Sequence, residues 1–121
     1  MKIRIHNNSL RYRLRQPDVE LFKTEGTVTE TISFGNAALH FSLTKTPSSE
    51  IQLTHSNNIT TILVPARIAE NWTDTEAVGF DAMLTLQDGV LMKILVEKDF
   101  KCIDGNEEDQ VGTYPNPAEH C

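Results

Sequence analysis

Five basic side chains stand at alternate positions near the start of the chain: Lys2 and Arg4 in KIRIH, then Arg11, Arg13 and Arg15 in SLRYRLR. Arginines repeated at period two on neighbouring strands would present planar, fork-shaped donors suited to phosphate or carboxylate. No carboxylate interrupts residues 1–15. The pattern predicts a face that binds an anionic small molecule or a protein partner. The plainer reading is a solvated sheet face, partly neutralised by the acidic end of the chain.

A second group with chemical potential lies in KDFKCIDGNEEDQVGTYPNPAEHC, which holds both cysteines. Cys102, Cys121, His120 and Asp109 are types that zinc accepts in a tetrahedral site. Yet there is no Cys-x-x-Cys knuckle, and neighbouring side chains such as His120 and Cys121 point apart in extended chain. The same residues fit a disulfide-closed loop, or reduced thiols in an acidic strap laid over the sheet. All three readings stay open on sequence grounds.

Catalytic constellations are missing. There is no phosphate-cradling glycine loop, no His-Glu-x-x-His pair and no Gly-x-Ser-x-Gly elbow. The opening strand has no carboxylates to hold Mg²⁺ for phosphoryl chemistry. His6, His40 and His55 sit beside turns or on solvent faces, where a histidine is more often a surface side chain than a catalytic base. Adjacent His120 and Cys121 are poorly held for a Cys-His pair. Glu30 is the odd residue of TVTETISF, because alternation sends it inward with Val28, Ile32 and Phe34. An edge strand, a bulge, an arginine partner or a ligand cavity would each account for it.

These residues need elements to carry them. Period-two alternation dominates the chain and predicts about eight short strands. Residues 2–6 and 9–15 flank Asn7-Asn8, a pair that tolerates positive φ and marks a tight hairpin. Residues 27–34 and 37–45 flank Gly35-Asn36. Residues 51–55 and 59–64 flank Ser56-Asn57-Asn58, and residues 79–86 and 89–98 meet at Gln87-Asp88. The apolar GVLMKILVEK reads as a central strand. Pro17, Asp18 and Glu20 open a short helix that Gly26 closes, with Val19 and Phe22 on its buried side. PARIAENW is a second helix, packing Ile68 and Trp72 one turn apart.

The expected fold is α+β and mainly β: an antiparallel barrel or sandwich of about eight strands, two short helices and an irregular C-terminal strap. One domain covers residues 1–121, with a β core at 1–98 and the strap at 99–121. No internal repeat or linker is evident. The 121 residues suffice for one core. The formal net charge of -6, and a Tyr12 ring facing away from the arginines, argue against nucleic acid. No apolar run is long enough for a membrane span, and without a signal-like start the expected location is cytoplasmic. Open strand edges leave monomer and homodimer as alternatives.

Several stretches together resemble a small family of uncharacterised bacterial single-domain proteins. They are KIRIHNNSLRYRLRQPDVELF, the central VPARIAENW…VGF, Glu97–Cys102, Glu108-Asp109-Gln110, Asn116-Pro117 and the terminal Cys121. The resemblance spans essentially the whole chain. It implies a bacterial, cytoplasmic, single-domain protein and brings no known activity. His120 is not part of that family's pattern, and Val111-Gly112 replaces a more acidic stretch.

Overall fold

In a computed structural model of the protein, residues 1–100 and 112–114 are described. The elements run β1 (Lys2–His6), β2 (Ser9–Leu14), α1 (Gln16–Glu25), β3 (Thr27–Ser33), β4 (Ala38–Thr46), β5 (Gln52–Ser56), β6 (Ile59–Pro65), α2 (Ala66–Asp74), β7 (Gly79–Thr85) and β8 (Leu91–Lys98). All four expected hairpins form. Asn7, Asn8, Asn57 and Asn58 take the positive φ that two-residue hairpin turns demand. Helix α1 begins with proline in its first turn and ends at Gly26, in the left-handed region at φ 79°.

The strands do not close into a barrel. They form two four-stranded sheets, ordered β1-β2-β8-β7 and β3-β4-β6-β5. Nor is the pairing wholly antiparallel: the two central pairs, β2 with β8 and β4 with β6, are parallel. Alternation predicts each strand's faces but is blind to the direction of a distant neighbour. As expected, β8 is central, and Ile94 and Val96 are fully buried.

The arrangement also corrects the expectation of no repeat. The order ββαββ occurs twice, as residues 2–46 and 52–98. Each half gives one hairpin to each sheet. The registers are equivalent. Leu10, Tyr12 and Leu14 of β2 face Ile94, Val96 and Lys98 of β8, while Thr60, Ile62 and Val64 of β6 face Phe41, Leu43 and Lys45 of β4. Moving 50 positions down the chain carries the first strand of each pair onto its counterpart, and moving back 53 does so for the second. Backbone contacts repeat as well: Lys45 N–H donates to Gly26 O at 2.9 Å and Lys98 N–H to Val78 O at 2.9 Å. Beyond the Asn-Asn turn and a few isolated identities such as Lys45 and Lys98, the two halves differ in residue identity, which hides the repeat from a reading by letters.

One core joins both sheets and both helices. Tyr12, Leu14, Ile94 and Val96 meet Leu43, Ile62 and Val64, with Phe22 of α1 and Trp72 of α2 at one end. Trp72 stacks edge-on against Phe22 and Phe80, with ring centroids 6.1 and 5.4 Å away. Its indole N–H donates to Val78 O at 3.0 Å, so the ring is buried without an orphaned donor. The buried pair on α2 is Ala69 and Trp72, with Ile68 only partly buried. The Tyr12 hydroxyl donates across the core to Thr60 O at 3.3 Å, and burial pushes its pKa up.

Candidate functional site

Register places the basic residues on one outer surface. Lys2, Arg4 and His6 of β1 lie opposite Arg13, Arg11 and Ser9 of β2. Those three in turn lie beside Glu97, Leu95 and Lys93 of β8. Four of the five predicted residues (Lys2, Arg4, Arg11 and Arg13) therefore share the face. The fifth departs. Strand β2 ends at Leu14, and Arg15 becomes the N-cap of α1, where its backbone N–H donates to Asp18 Oδ2 at 3.2 Å. The helix interrupts the alternation that would have kept Arg15 in line.

The face divides into two halves by charge. Towards the helices, carboxylates occupy the cations. Arg11 Nε donates to Glu97 Oε1 at 2.5 Å, and a second Arg11 nitrogen contacts the same oxygen. Arg13 Nε lies 3.3 Å from that oxygen and Arg13 Nη2 3.8 Å from Asp99 Oδ1. Lys2 Nζ sits 3.1 Å from Asp99 Oδ2, whose side chain is almost wholly buried. Among the described residues Arg13 Nε and Asp99 Oδ2 have no aligned hydrogen bond. Charge alone compensates these two buried atoms, which a buried ion tolerates only with close counter-charges.

Towards the hairpin turn the balance changes. Arg4 and Lys93 are exposed and make no ion pair among the described residues. Together with His6, Ser9, Arg11 and Leu95 they line a depression of about 190 Å³. Arg4 stands directly opposite Arg11, a like-charge juxtaposition that is unfavourable unless something neutralises it. Glu97 does so for Arg11, while Arg4 has no carboxylate partner among the described residues. Lys93 is the residue that reading by sequence misses. Its alternation with Leu95 and Glu97 was legible, but its place beside β2 depends on a parallel pairing between chain ends.

Glu30 lies on β3, an edge strand, as one reading of the sequence anticipated. Its partner is not an arginine but the Met1 ammonium, 2.7 Å from Oε1; Asp18 Oδ2 reaches the same ammonium at 3.0 Å. Burial alone would lower the pKa of this amine. The hydrogen bonds and charges of Glu30 and Asp18 outweigh it, and the net shift is upward.

The described part of the C-terminal strap sits against the first helix. Gln16 N–H donates to Gly112 O at 3.0 Å, and Tyr114 N–H to Asp99 O at 2.7 Å. The Tyr114 ring lies beneath Lys98 Nζ, 5.5 Å from its centroid. That ammonium also donates to Thr75 O at 2.8 Å, and desolvation lowers its pKa. Cys102, Asp109, His120 and Cys121, the candidate zinc ligands, lie outside the described residues. Among the described residues no group of three His, Cys, Asp or Glu could hold a metal ion, and no helix is long and apolar enough to cross a membrane.

No curated protein and no solved structure shows a significant match to the chain. The chain belongs to a family of unknown function, DUF7009, whose pattern it matches over residues 1–118.

Proposed function

We propose that this member of a family of unknown function is a binding domain. In this reading it takes an anionic ligand, a phosphate- or carboxylate-bearing molecule or protein segment, on the outer face of the β1-β2-β8-β7 sheet. The observation that carries the reading is the pair Arg4 and Lys93. Both are exposed and without a carboxylate partner among the described residues, at either side of a depression that Arg11 and His6 also line. Arg4 on β1 and Lys93 on β8 are separated by one strand, so they would grip an anion from two sides about 10 Å apart. Lys2 and Arg13 sit with Asp99 and Glu97, outside the lining of the depression. Arg15 stands off the face.

Titration with inorganic phosphate, sulfate and nucleotides at low ionic strength tests this, read by amide chemical shifts and thermal stability. Arg4→Ala and Lys93→Ala should each weaken binding about three- to tenfold. Arg15→Ala should leave it unchanged. Neither shift changes in β1, β2 and β8 nor stabilisation by any of these anions would remove the proposal.

A further inference from the structure

Among the described residues each sheet has two open edges, β1 and β7 in one and β3 and β5 in the other. An open edge offers unpaired backbone donors and acceptors to any strand that approaches, and charged side chains are the usual protection. Three edges have that protection: Lys2 and Arg4 on β1, Glu30 on β3 and Asp81 on β7. The fourth, QLTHS in β5, has no Asp, Glu, Lys, Arg, Pro or Gly. It borders a groove of about 810 Å³ lined by residues 50–55 and 83–87, in which Ile51, Leu53, Leu84 and Leu86 are apolar and Glu50 is the one acidic residue. The stretch of β7 that forms the other wall is uncharged too.

We propose that the β5 edge pairs with β5 of a second copy of this chain. A two-fold axis perpendicular to the sheet sets Thr54 against Thr54 of the other copy, Leu53 against His55, and Gln52 against Ser56. That isologous, antiparallel arrangement joins the two four-stranded sheets into one of eight. Charge selects this edge. Two copies with a net charge of -6 each repel overall, and pairing β1 with itself would bring arginines and lysines together. Of the four edge strands, β5 alone carries no charged side chain into such a pairing. Because β5 and β7 border the same groove, the axis that joins the β5 edges also brings the two grooves together, covering Leu53 and Leu84 of both copies. About a dozen residues a side is small for a stable interface, so the association is a weak, reversible one.

Sedimentation velocity from about 1 to about 200 µM, a span suited to weak association, tests the proposal on the whole chain. Reversible dimerisation within that range is expected. Thr54→Lys sets two ammonium groups face to face across the axis and should weaken the dimer by about tenfold. Thr31→Lys, an exposed change on the opposite edge β3, should leave it intact. Concentration-dependent protection of β5 backbone amides from hydrogen exchange provides a second readout that does not depend on the variants. A monomer at every concentration overturns the proposal and leaves the groove to a partner of other chemistry. So does a dimer that Thr31→Lys abolishes and Thr54→Lys spares.

Discussion

Glu97→Gln should pull stability and anion affinity in opposite directions. Glu97 is largely buried and holds both Arg11 and Arg13 through one oxygen. The amide keeps the shape and loses the charge. One charge-assisted hydrogen bond and one looser ion pair are weakened, and the Arg4–Arg11 opposition is no longer neutralised. Such contacts contribute about 1–2 kcal/mol when partly buried. For a domain of this size that is a fall of about 4–8 °C in melting temperature. Meanwhile a negative charge four residues along β8 from Lys93, about 10 Å from the depression by strand rise, disappears, and Arg11 is released towards it. Coulomb's law at a surface dielectric of roughly 40–80 gives about 0.4–0.8 kcal/mol, or two- to fourfold tighter anion binding. Thermal melts by circular dichroism measure the first effect, and calorimetric titration with phosphate at low salt the second. A variant that melts lower and also binds anions more weakly, or one that changes neither property, would refute the division of the face into a neutralised half and an open half.

Three other outcomes follow from the geometry. Gly79→Ala should cost about 1–3 kcal/mol, seen as a lower urea midpoint followed by Trp72 fluorescence. Its new Cβ would lie 2.3 Å from Val96 O, a backbone atom that can yield only by parting β7 from β8. The two Asn-Asn turns should answer differently to glycine. Asn58→Gly relieves a positive φ of 64° and should be neutral or stabilise by a few tenths of a kcal/mol. Asn8→Gly also gives up the Nδ2 hydrogen bond to Leu91 O and should destabilise by about 1 kcal/mol in the same melts. Finally, the Met1 ammonium has a folded pKa above its unfolded value of 8.0. Its contribution is fully present below pH 8 and is lost as pH rises through the folded value. Denaturation midpoints between pH 7 and pH 10 should show this slope in the native chain and a shallower one in Glu30→Gln.

Local signals in the sequence were reliable where local physics decides. Asn7-Asn8 and Asn57-Asn58 had to turn the chain, Pro17 and Gly26 had to bracket a helix, and the apolar run around Ile94 had to be central. Alternation also placed Lys2, Arg4, Arg11 and Arg13 on one surface. It failed at Arg15 because one residue of helix geometry redirects a side chain. The uneven charge did anticipate that the acidic end, through Glu97 and Asp99, neutralises part of the arginine face. Alternation gave no hint of Lys93 beside the arginines, because β2 and β8 pair across most of the chain. The parallel centre of each sheet was hidden for the same reason. Glu30 was recognised as anomalous, yet its partner is a terminal amine, which has no side-chain letter to read.

The interlacing of the two ββαββ halves bears on how the chain must fold. Neither half owns a complete sheet: hairpin β1-β2 completes its sheet only with β7-β8, and β3-β4 only with β5-β6. Leu10 meets its partner Ile94 after 84 intervening steps along the backbone. During synthesis, the first sheet therefore waits with β2 open until almost the entire chain has emerged. Such long-range closure makes folding a slow event of milliseconds to seconds, not microseconds. The second sheet, whose strands are contiguous in sequence from β3 to β6, can assemble earlier and serve as the template. A stalled or truncated chain ending before β8 would expose the apolar side of β1-β2, with Tyr12 and Leu14 uncovered, and would be a substrate for chaperones and proteases.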